Sequence, residues 1–65
     1  MDIPIKYPRK CRRSIRRLVD EVGMSIETAY AMLLLTAALT DLYPEDDDVV
    51  HIILQDCGIE DSEIA

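Results

Sequence analysis

Residues 25–42 read SIETAYAMLLLTAALTDL, and the fold turns on how this stretch is interpreted. No charged residue lies between Glu27 and Asp41. Ala29, Tyr30, Met32, Leu33, Leu34, Leu35 and Leu39 do not keep to one helical face. A helix that is apolar all round wants cover on nearly every side, from its own domain, a partner or lipid. A lipid span takes about 20 apolar residues, and this run is shorter. The expectation is a helix that asks for more burial than a chain of 65 residues readily supplies.

Working outward, Ser25 is a natural N-cap, and Glu27 sits in the first turn, where negative charge is favourable. The helix is expected to run to about Leu42, with Pro44 as the stop. On the other side, Gly23–Met24–Ser25 is a tight link, and Gly23 suits the left-handed position just past a helix end. Before it, Cys11, Ile15, Leu18, Val19 and Val22 recur at helical spacing and form one apolar stripe. Arg12, Arg13, Arg16 and Arg17 occupy the rest of the circumference, and Pro8 suits the first turn. The arginines come early and Asp20 and Glu21 late, against the helix macrodipole. Arg16–Asp20 and Arg17–Glu21 are i,i+4 pairs in the weaker orientation, each worth roughly 0.3 kcal/mol.

The two ends are less regular. Residues 1–8, with Pro4 and Pro8, read as an extended arm in which Ile3 and Ile5 share one side. In residues 45–57 the β-branched Val49, Val50, Ile52 and Ile53 favour a strand. Yet Val50, Ile53, Leu54 and Cys57 keep helical spacing, with acidic residues before them and Gly58 after. Both readings stand. Residues 58–65 read as an acidic tail. The predicted fold is therefore mainly α: a helical hairpin followed by a short C-terminal β-strand or a third helix, in one small domain over residues 9–57.

Composition narrows the function classes. A domain near 60 residues buries only about 60% of the surface its unfolded chain exposes, so association is a common support at this size. Cys11 and Cys57 are far apart, with no CxxC and no His/Cys cluster; they read as reduced, small apolar residues. No apolar signal segment follows the basic N-terminal residues, and a cytoplasmic location, away from membranes, is the expectation. The net charge of −6 conceals a segregation. All seven cations (Lys6, Arg9, Lys10, Arg12, Arg13, Arg16, Arg17) precede position 18, where Asp2 is the one acid. Such a block suits an acidic protein, a nucleic acid or another copy of the chain.

The chemistry-bearing residues do not assemble a site. Glu45, Asp46, Asp47 and Asp48 offer oxygens to a hard cation, but their spacing matches no EF-hand loop. His51, the one histidine, has no evident positioned partner for proton transfer. No nucleophile elbow, P-loop or dinucleotide fingerprint occurs. No catalytic residue, cofactor or metal is expected. Helix, glycine, short turn, serine, helix is also the outline of a helix-turn-helix. The second helix, however, lacks Lys, Arg, Asn and Gln, the usual readers of base edges.

GMSIETAYAMLLLTAAL resembles the C-terminal segment of the acetamidase/formamidase family, through Gly23, Ser25, Glu27, Ala29, Tyr30, Met32 and Leu39. IRRLVDEVG resembles the helix that leads into it, and Val49, Val50, Ile52 and Ile53 fall where that family has a strand. The resemblance spans roughly residues 12–54, a small part of a family enzyme. Ala38–Leu39 stands where the family has Asp-Leu, and the acidic run Glu45–Asp48 is not the family's usual loop. The resemblance implies a hairpin packed against a large amide-hydrolase body, and it transfers no catalytic residue.

These readings converge on a small accessory subunit that docks on a larger protein. Tyr30, Met32, Leu33, Leu34, Leu35 and Leu39 are the expected apolar interface, and Arg12, Arg13, Arg16 and Arg17 the basic docking face. The alternatives are a helix-turn-helix-like nucleic-acid-binding regulator and an obligate homo-oligomer.

Overall fold

The computed structural model describes residues 3–58; the acidic tail therefore lies almost wholly outside the described residues. Helix α1 (Arg12–Arg17) is entered through a 3-10 turn over Arg9–Cys11 and prolonged by a π-type turn over Leu18–Val22. The three form one rod, Arg9–Val22. Helix α2 spans Ile26–Thr40 and helix α3 Asp47–Asp56. The open question over residues 45–57 is thus decided for a helix, and the described residues contain no strand.

Local chemistry accounts for each boundary. Gly23 closes the first rod at φ 88°, a left-handed conformation that glycine adopts without a Cβ clash. Ser25 caps α2: its Oγ accepts from the Thr28 N–H at 3.1 Å. Across this turn the axes bend by 116°. α2 ends at Thr40, short of the expected Leu42, because Asp41 turns left-handed at φ 62° and Leu42 N–H donates back to the Ala37 carbonyl. Asp46 caps α3, its Oδ1 accepting from the Asp48 N–H at 3.0 Å, while Asp47 and Asp48 complement the positive end of the helix dipole. Punctuation outweighs the β-propensity of Val49, Val50, Ile52 and Ile53 because these residues have a helical groove to fill.

That groove lies between α2 and the first rod. Val49, Val50, Ile53 and Leu54 of α3 are buried there with Ile15 and Leu18 of the rod and Leu33 of α2. α2 enters the core along Ala29, Leu33 and Ala37, spaced four residues apart. The two alanines let the neighbouring helices come close, and Leu33 fills the space between them. Val19, Val22, Ile26 and Met24 pack at the margin.

The N-terminal segment folds back onto this core instead of running extended. Tyr7 N–H donates to the Pro4 carbonyl at 3.2 Å, closing a turn. Ile3 and Tyr7 are buried, whereas Ile5 is 87% exposed, so Ile3 and Ile5 do not share a side. Tyr7 meets Tyr30 edge to face, with ring centroids 5.1 Å apart. Lys6 Nζ lies 5.3 Å from the Tyr7 ring centre.

Candidate interaction surface

α2 carries apolar residues on opposite faces, and the chain covers only one. On the outer face Leu34, Leu35 and Leu39 are 43%, 56% and 78% exposed, flanked by exposed Ala31 and Ala38. Residues at such three- and four-residue intervals form one continuous strip. Tyr43, just beyond the helix, is also exposed. Single exposed leucines are ordinary, but a contiguous strip on one helix is characteristic of docking surfaces.

The six expected interface residues are therefore divided. Leu33 is fully enclosed in the core, and Tyr30 and Met32 are half-buried against it. Only Leu34, Leu35 and Leu39 of that set reach the surface. The reason is rotational: Leu33 lies four residues from both Ala29 and Ala37, on the line facing α3, and Leu34 and Leu35 are turned away from it. Ala31 and Ala38 belong to the surface but are inconspicuous in the sequence, because alanine suits either environment.

The arginine face is divided too. Arg13 and Arg16 are exposed, as are Arg9 and Lys10 in the preceding turn. Arg17 is partly covered, and its Nε donates to Glu21 Oε2 at 2.9 Å, realising one of the two expected i,i+4 pairs. Arg12 is half-buried, and its Nε is enclosed without an acceptor. It belongs to the packed side of the rod more than to a docking face.

Nothing among the described residues forms a reaction centre. No group of three or more His, Cys, Asp and Glu side chains is arranged to hold a metal ion among them. Asp46 caps a helix, and His51 is half-buried on α3. A shallow cleft lined by Ile3, Arg16, Val19 and Asp20 holds about 30 Å³, room for water and far below a small-molecule pocket. Cys11 and Cys57 are both free thiols, the first buried and the second exposed. Burial, and then the nearby negative charge of Glu45, push the Cys11 thiol pKa up. A raised pKa suppresses the thiolate, so Cys11 is a packing residue and not a nucleophile.

No single described helix is long and apolar enough to cross a membrane. No family model matches the chain, and no curated protein or solved structure matches it either.

Proposed function

We propose that this chain is a small protein-interaction module that docks through the outer face of α2. The observation that carries the reading is the strip Ala31, Leu34, Leu35, Ala38 and Leu39, apolar, contiguous and open to solvent. Burying such leucines gains about 25 cal/mol per Å² of apolar surface removed from water. Docking on a larger hydrolase body is the form of this reading that the acetamidase/formamidase resemblance implies. In that form the exposed Arg13 and Arg16 meet an acidic patch and set orientation.

The test is photo-crosslinking in cells, with a photoreactive amino acid at position 35 and, as control, at position 13. A discrete adduct from 35 that Leu34→Asp abolishes supports the docking face. Absence of any adduct from 35 rejects it.

A second reading has one observation in its favour. A three-residue glycine-containing turn with a 116° bend is within the geometry of a helix-turn-helix. In this reading Lys6, Arg9, Lys10 and Arg13 contact phosphates. It requires duplex DNA binding that weakens steeply with salt, and no mobility shift at low salt rejects it. The exposed side chains of α2, among them Glu27, Ala31, Leu34 and Leu35, are poorly suited to base edges.

A further inference from the structure

We infer that the outer face of α2 receives a partner helix bearing a basic residue at each end of an apolar stretch. The inference rests on reading that face as a docking surface and adds the chemistry of its occupant.

Glu27, Ala31, Leu34, Ala38 and Asp41 follow one another at intervals of four, three, four and three residues. That is the rhythm of a heptad, which keeps to one line along a helix. All five are exposed. The line is thus an apolar track closed by a carboxylate at either end. Fourteen residues at 1.5 Å each set the two acids about 21 Å apart along the axis. Among the described residues neither acid takes part in an ion pair. Glu27 complements the positive end of the α2 dipole, but Asp41 sits at the negative end, where an acid is unfavourable. A partner cation at that end meets both the Asp41 carboxylate and the last helical carbonyls.

A second copy of the chain fits this track poorly. Antiparallel pairing about a point between Leu34 and Leu35 brings Glu27 of each copy toward Asp41 of the other. Parallel pairing sets Glu27 against Glu27 and Asp41 against Asp41. Either way like charges meet at both ends, between chains that each carry −6. The apolar strip is also small, on the order of 400 Å² per copy. Two such strips fall short of the roughly 1,200 Å² at which stable pairs begin. A helix with Ala and Leu facing the track, and Lys or Arg about 14 residues apart, matches apolar surface with apolar surface and cation with carboxylate. Because both ends are acidic, either direction of the partner satisfies the match.

The test uses two fluorescein-labelled synthetic helices with identical Ala/Leu heptads. One has Lys at both flanking positions, 14 residues apart, and the other has Glu. Fluorescence anisotropy at low salt is expected to give at least tenfold tighter binding of the Lys peptide, a gap that closes at high salt. Glu27→Lys with Asp41→Lys should invert the preference. The milder pair Glu27→Gln with Asp41→Asn, which keeps a residue tolerant of left-handed backbone at 41, should erase it; circular dichroism verifies folding of both. Equal binding of the two peptides to the unaltered chain, or an unchanged gap in the neutral variant, overturns the charge match and leaves the docking face standing. Binding of both peptides that survives Leu35→Asp overturns the docking face itself. A homodimer by light scattering that Leu35→Asp dissociates assigns the track to a second copy and overturns the inference.

Discussion

Neighbouring residues on α2 carry opposite obligations. Leu33 is enclosed and Leu35 is more than half exposed. Leu33→Ala should cost about 2–5 kcal/mol, close to the whole stability of a chain this size. Leu35→Ala should change stability by less than about 0.5 kcal/mol. Urea unfolding of the two variants checks the contrast. The cysteines divide in the same way. A thiol reagent should modify Cys57 in the native protein at once and Cys11 only as the fold opens. The raised Cys11 pKa also carries a sign. The neutral thiol is favoured in the fold, so its contribution is whole below the ordinary value of 9.0 and is lost as pH rises through the higher folded value. Melting temperature should fall across that alkaline window, and Cys11→Ala should start lower but lose this part of the slope.

The elements are defined by their ends. Ser25→Ala removes the cap of α2 and should cost about 1 kcal/mol, read as a drop of roughly 4–8 °C in melting temperature. Gly23→Ala meets no neighbouring atom, so its penalty is that of forcing a Cβ into left-handed backbone, about 1 kcal/mol. These ends were legible in the sequence: glycine, serine and the acidic run before Val49 act through local rules that need no tertiary knowledge. The side of α2 that meets the core was not. A helix apolar on two faces has no preferred rotation until its neighbours exist, and α3 picks out Ala29, Leu33 and Ala37 by fit. The N-terminal arm was misread for a related reason. Prolines favour extended backbone, but burial of Ile3 and Tyr7 overrides that local preference.

At the scale of the molecule, charge separated along the sequence is partly reunited in space. Glu45, from the acidic half, acts on Cys11 within the basic half. The fold thus answers some of its own polarity and leaves the outer face of α2 for another chain. In isolation at about 10 µM the protein should be a monomer near 7.4 kDa by light scattering, because two such strips bury too little to hold a pair at that concentration. The π-type turn over Leu18–Val22 has a consequence for descent as well as for shape. A wide turn fits one residue more than the regular ladder needs, the mark of an insertion absorbed by bulging. It sets the phase between the two ends of the chain. Deleting Asp20 restores a regular ladder but turns all that follows by about 100° relative to Ile15. The frame of this small protein therefore tolerates exchange of letters at position 20 far better than loss of one.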